Sequence, residues 1–160
     1  MTTMLGVSLA GRDVLLVGGG SVTARRLRRF LADGAACRIV APEVSAPVRE
    51  LIARHGLAWT PRAVRRSDLE EAWLVHTATG DPAVDGAVAA WCDAAHVFCV
   101  NTSTATHGSA RLAAETRADD VIVGVVSDAG ADPRRSARVR DAVAGLLHEG
   151  RLPLRRRRAA

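Results

Sequence analysis

Three consecutive glycines, Gly18-Gly19-Gly20, stand directly between a short apolar run and a helical stretch. Val14-Leu15-Leu16-Val17 is too short for a helix and stops at glycine, so it reads as a buried strand. From Val22 to Asp33, Leu27, Phe30 and Leu31 fall on one side and Arg25, Arg26, Arg28 and Arg29 on others, ending at Gly34. A strand, a glycine bend and a helix in that order is the setting of a G-x-G-x-x-G/A dinucleotide fingerprint. Gly18 is expected to make the tight turn, and Gly20 to let a pyrophosphate approach the backbone. Unpaired N–H groups at the helix start would face that anion. The third glycine position holds Thr23, which asks the helix to pack slightly farther from the strand.

The alternation continues. Cys37 to Val40 predicts a second strand, Pro47 to His55 a helix closed by Gly56, and Leu57 to Trp59 a short strand. Ser67-Asp68-Leu69-Glu70 has capping-box form and predicts a short helix. Trp73 to Ala78 is strand-like, and Asp81-Pro82 predicts an N-cap and first turn for a helix to about Ala95. Val97 to Val100 predicts one more strand. This rhythm implies an α/β, Rossmann-like parallel sheet covered on both faces. After Asn101 it breaks into a Thr/Ser/Ala/Gly-rich stretch. Val121 to Val126 then predicts a buried strand, and Asp132-Pro133 a last helix lined by Val139, Val143, Leu146 and Leu147 and closed by Gly150. We expect a nucleotide-binding domain over 1–112, a small C-terminal α+β subdomain over 113–150, and a basic tail or linker over 151–160.

Within such a sheet, an acid about 20 residues past the glycines would hold the adenosine ribose, and Glu43 is the nearest. A carboxylate there accepts two hydroxyls and repels a 2′-phosphate, which favours NAD over NADP. Thr79, Gly80 and Asp81 follow the fourth strand; their small side chains would let the nicotinamide half lie against the backbone, while Asp81 caps the next helix. Asn101-Thr102-Ser103-Thr104 follows the fifth strand and offers polar groups without a carboxylate.

Composition narrows the function. Arg155 to Arg158 supply four of the five net positive charges, so the basic character is mostly a tail property. No nucleic-acid partner is expected. All 22 basic residues are arginine, which excludes lysine Schiff-base chemistry and a Walker-type phosphate lysine. Cys37, Cys92 and Cys99 form no C-x-x-C pair and read as reduced core thiols, in keeping with a cytoplasmic protein. No apolar run is long enough to span a bilayer, no signal pattern opens the chain, and no cluster has metal-ligand spacing, so neither membrane nor bound metal is expected.

Taken together, Val17-Gly18-Gly19-Gly20-Ser21-Val22, Val40-Ala41-Pro42-Glu43, Ala78-Thr79-Gly80-Asp81 and Phe98-Cys99 resemble the precorrin-2 dehydrogenase family in order and spacing. That family forms the N-terminal module of siroheme synthase and includes sirohydrochlorin ferrochelatases. Val126-Ser127-Asp128-Ala129-Gly130 and Asp132-Pro133 are similar to its second subdomain, so the resemblance covers about residues 5–150. It implies NAD-dependent oxidation of precorrin-2 to sirohydrochlorin, in some members with ferrous iron insertion. It also implies a homodimer joined through the second subdomains and, in fused members, a methyltransferase partner. By similarity NAD would touch Ser21, Val22, Pro42 and Glu43. Precorrin-2 carries many carboxylates, which Arg111, Arg134, Arg135 and Arg138 would pair with through parallel hydrogen bonds, alongside Asn101. Aligned on Phe98-Cys99, Ser103 takes the place of the aspartate that is the family's proposed base. A serine hydroxyl is too weak an acid to replace it, and losing a base typically removes a factor of about 10² to 10⁴ in rate. His107 is the nearest titratable substitute. Two other functions stay open: a catalytically impaired NAD/tetrapyrrole-binding module partnering a methyltransferase, and a nucleotide-sensing domain that ignores tetrapyrroles. The chain length fits either a short form or the front of a fusion.

Overall fold

Strand propensity and glycine punctuation place five parallel strands in one sheet. The computed structural model describes residues 2–104, 106–128 and 132–152. In chain order the elements are β1 (Asp13–Val17), α1 (Ser21–Ala32), β2 (Ala36–Val40), α2 (Ala46–His55), β3 (Ala58–Thr60), a 3₁₀ turn (Arg66–Leu69), β4 (Leu74–Thr77), α3 (Pro82–Ala94) and β5 (Phe98–Asn101). A two-stranded antiparallel sheet, β6 (Ala114–Ala118) and β7 (Val121–Val125), and α4 (Pro133–His148) follow. The chain divides into two compact units, one of Leu5–Arg111 and one from Leu112 onward that includes the residues up to Met4.

The first unit is a Rossmann-like sheet in the order β3-β2-β1-β4-β5. Successive connections run outward on one side of β1 and then on the other, so the order reverses between β1 and β4. The register levels four strand ends at one edge: Val17 pairs with Val40 and with Thr77, and Thr77 pairs with Asn101. The loops that follow β1, β2, β4 and β5 therefore emerge side by side.

Alternation sorts the strand side chains between two layers. Leu15, Val17, Val75 and Cys99 pack with Val88, Ala89 and Cys92 of α3. On the other face, His76 meets Phe30 of α1 edge-on, with ring centres 6.1 Å apart. His76 is fully buried, and beyond its own backbone neither ring nitrogen has a partner among the described residues. Burial first, and the charge of Arg26 second, push the imidazole down from 6.5 to about 4, so it is packed as a neutral ring.

Several details depart from the sequence expectation. β3 sits one residue later than Leu57 to Trp59. Around Ser67 the turn starts at Arg66, because Asp68 accepts from the Arg65 amide at 2.7 Å and pairs with both terminal nitrogens of Arg62. β6 has the sequence Ala-Glu-Thr-Arg-Ala and no apolar pattern; it is a strand because β7 pairs with it. β7 itself is half-buried rather than buried. Asp132 caps α4 through the Arg135 amide at 2.9 Å, and Leu147 is buried, but Val139 on that helix is exposed. Ala129 and Gly130 of the second-subdomain motif, and Arg155 to Arg158 of the tail, lie outside the described residues.

Candidate functional site

The glycine bend is shaped by its neighbours' backbones. Gly18 has φ +109°, and a Cβ there would lie 2.3 Å from the Ala78 carbonyl oxygen at the end of β4. A Cβ on Gly19 would lie 2.0 Å from the Glu43 carbonyl oxygen beyond β2. Both glycines are thus required by the meeting of three strand ends. Gly20 differs: a Cβ there meets nothing within 4 Å. It occupies the N-cap of α1, and no side chain caps that helix. The first amides of α1 therefore open onto free space, as an anion site requires.

Beside this bend lies a crevice of about 370 Å³. Gly18, Gly19, Pro42, Glu43, Thr79 and Val84 are among its walls. The structure thus brings together four of the residues read as cofactor contacts: Gly18, Pro42, Glu43 and Thr79. Ser21 and Val22 open α1 immediately after Gly20. The open cap, the amides and the Glu43 carboxylate fit a dinucleotide, and these residues could hold one. Gly80 is exposed at the turn into α3. Asp81 spends its carboxylate capping α3, accepting from the Ala83 amide at 2.8 Å and the Val84 amide at 3.4 Å. Thr23 is fully buried on the inner side of α1, and its hydroxyl has no partner among the described residues.

At the level edge of β4 and β5 stands a carboxylate that the sequence reading missed. Asp85 on α3 is fully buried. Its Oδ1 accepts hydrogen bonds from the Thr77 hydroxyl, the Thr79 hydroxyl at 2.8 Å and the Thr79 amide at 3.1 Å. Its Oδ2 accepts from the Ser103 hydroxyl. Burial pushes this carboxyl up, but the hydrogen bonds from Ser103, Thr77 and Thr79 outweigh it and hold it below the ordinary carboxylate range. Asp85 is therefore an ionised, buried acid neutralised by hydroxyls and an amide. The sequence carried a signal for it. Asp85, Val88, Ala89 and Cys92 recur at i, i+3, i+4 and i+7 and form the buried stripe of α3. An acid on an apolar stripe needs partners, and the polar residues after β4 and β5 supply them.

Asn101, read as a substrate contact, braces the loop after β5. It is buried, and both the nitrogen and the oxygen of its side-chain amide are hydrogen-bonded within the chain. Its Nδ2 donates to the Asp85 carbonyl at 3.0 Å, and its Oδ1 accepts from the Ser103 and Thr104 amides at 3.0 and 2.9 Å. Ser103 is exposed above this brace. His107 lines a different hollow, against Gly86, Ala89, Ala90 and Asp93 of α3, which shares no wall residue with the crevice. Arg111 is half-buried in the first unit; Arg134, Arg135 and Arg138 are exposed on α4 in the second. No helix of the described residues is long and apolar enough to cross a membrane. Among the described residues no group of three or more His, Cys, Asp or Glu could hold a metal ion.

Comparisons with known proteins agree with this geometry. The family described as putative NAD(P)-binding matches residues 5–114. The chain is 43% identical over 84 residues to a precorrin-2 dehydrogenase from Priestia megaterium, covering 52% of this chain and 41% of that protein. It is 40% identical over 93 residues to a siroheme synthase from Pseudomonas fluorescens (strain Pf0-1), covering 58% of this chain and 19% of that protein. The matches thus span less than half the length of either relative. Among solved structures, "SirC, precorrin-2 dehydrogenase" superposes with a TM-score of 0.72 at 28% identity, covering 90% of this chain and 70% of that one. A matched stretch from β1 through β5, with the glycine bend and crevice inside it, makes this chain a member of the putative NAD(P)-binding family.

Proposed function

We propose that the chain is an NAD-dependent dehydrogenase that oxidises precorrin-2 to sirohydrochlorin. The observation that carries this reading is the crevice at the sheet's reversal point, walled by Gly18, Gly19, Glu43 and Thr79 and followed in the chain by the uncapped start of α1 at Gly20. NAD, when bound, supplies the hydride acceptor. The amides of Ser21 and Val22 hold the pyrophosphate, and Glu43 accepts hydrogen bonds from the adenosine ribose. Thr79, a wall of the crevice, would lie beside the nicotinamide half. Oxidation would transfer one hydride from a substrate C–H bond to NAD and release one proton, for which the loop of Ser103 and His107 is the candidate outlet. Of those two, Ser103 is tied to the crevice, because Asp85 binds both it and Thr79. Arg111 of the first unit and, separately, the exposed Arg134, Arg135 and Arg138 of the second are groups suited to pairing with substrate carboxylates. Ferrous iron insertion, as a further reaction, depends on proton removal at the same loop.

A homodimer joined through the second unit suits Ile122 on β7 and Val139 on α4, whose apolar side chains are 57% and 45% exposed. A methyltransferase is the partner that the siroheme synthase relative suggests. The reading as a module without turnover rests on the missing acid after β5, and the Asp85 carboxylate beside Ser103 weighs against it. The test is to mix the intact protein with precorrin-2 and NAD. Appearance of NADH absorbance with sirohydrochlorin is expected; NAD binding without NADH formation would support the module instead.

A further inference from the structure

The hydroxyl cluster around Asp85 has a fixed polarity. A carboxylate without a proton only accepts hydrogen bonds, so each hydroxyl that meets it must donate. Thr77 and Thr79 turn their protons to Oδ1, and Ser103 turns its proton to Oδ2. The Ser103 hydroxyl has one proton, and it points inward. What remains on the exposed side of Ser103 Oγ is lone pairs. Backbone placement reinforces this: the Ser103 amide is held by Asn101 Oδ1, and Asn101 is itself anchored to the Asp85 carbonyl. The serine is therefore fixed at both its main chain and its side chain by groups within α3 and β5. The low-lying Asp85 carboxyl keeps this arrangement through the neutral and mildly acidic range.

We propose that Asp85 is a positioning residue that makes Ser103 a hydrogen-bond acceptor, so that this end of the site receives an N–H of the tetrapyrrole. It rests on the dehydrogenase reading above and adds which part of the substrate Ser103 takes. A pyrrole N–H fits an acceptor beside a buried negative charge; a substrate carboxylate does not, and is left to the arginines. The serine in place of an acid after β5 is then a displaced version of the same electrostatics. The charge comes from α3, and the hydroxyl presents it.

The experiment compares the intact protein with Asp85→Asn, Ser103→Ala and their double variant. Asparagine keeps an oxygen for Thr77, Thr79 and the Thr79 amide, but it can present an N–H group to Ser103. The Ser103 proton then turns outward and the acceptor is lost. Asp85→Asn is expected to bind NAD within about twofold of wild type by calorimetry, and to lose about 10- to 100-fold in kcat/KM for precorrin-2. Ser103→Ala is expected to cost a similar factor alone and almost nothing on top of Asp85→Asn. Asp85→Asn with Ser103→Asp, which restores a carboxylate, is expected to recover activity. Wild-type kcat/KM in Asp85→Asn, or additive losses in the double variant, overturns the proposal. Wild type that binds NAD but forms no NADH overturns the dehydrogenase reading instead. Binding of sirohydrochlorin, followed by its absorbance, then decides the Asp85 proposal: weakening of about tenfold in Asp85→Asn supports it, and equal binding overturns it.

Discussion

The glycine bend and the Asp85 cluster are the two ends of the candidate site, and they are built from different materials. At the glycine bend, backbone does nearly all the work: three consecutive glycines meet the main chain at Glu43 and Ala78. At the Asp85 end, side chains from β4, α3 and the loop after β5 converge on one carboxylate. The demands of the first kind of site are steric. The second is assembled by register, and its demands are for hydrogen-bond partners. Substitutions should separate them: changes at the bend divide into fold and ligand effects, while changes at the cluster alter proton placement with the fold intact.

The largest expected effect breaks the bend itself. Gly19→Ala places a methyl group 2.0 Å from the Glu43 carbonyl oxygen, so backbone must move. We expect a loss of about 3 kcal/mol or more in chemical denaturation. Gly20→Ala meets nothing within 4 Å and should keep its stability within about 0.5 kcal/mol. Its methyl group intrudes where the pyrophosphate would lie, so NAD affinity should fall at least about tenfold. Equal stability losses in the two variants would erase the distinction between a bend that serves the fold and one that serves the ligand.

Next in size is a pH effect from the face opposite Asp85. His76 is held down to about 4 in the folded chain against 6.5 in the unfolded one. Its contribution is therefore fully present above pH 6.5 and is lost as pH falls from 6.5 toward 4, where the unfolded state takes up the proton first. The difference amounts to about 3 kcal/mol over that window. His76→Leu should flatten that part of the stability profile, as measured by denaturant midpoints at each pH. An unchanged slope would mean that another group carries the acid sensitivity.

Smaller effects sharpen the account of the bend. Glu43→Ala should weaken NAD binding by about tenfold and narrow its preference over NADP, measured by parallel titrations. Thr23→Val keeps the shape at the third glycine position and removes a buried hydroxyl that has no partner among the described residues. It should raise stability by about 1 kcal/mol, read as a higher Tm.

This difference between the ends also explains what could be read from the sequence. Gly18 to Gly20, Glu43 and the Asp81-Pro82 start of α3 carry their meaning in adjacent residues, and the structure has each at the expected element boundary. Asp85 was legible only as an acid on an apolar stripe; that it meets Ser103, 18 positions away, follows from the alignment of Thr77 with Asn101 across β4 and β5. Asn101 looked like a free polar group after a strand, and its use as a brace depends on the same alignment. β6 was invisible for a related reason, since Ala114–Ala118 owes its extended form to pairing with β7 rather than to its own pattern. His107 stood close to Ser103 in sequence, yet it lines another hollow because the chain turns between them.

Calorimetric titration of NAD into the intact, folded protein tests the central claim most directly. Saturable heat at one site per chain is predicted, strongly weakened in Gly20→Ala while the variant's unfolding midpoint stays put. Absence of heat with NAD and NADP alike, or binding that Gly20→Ala leaves untouched, would contradict it.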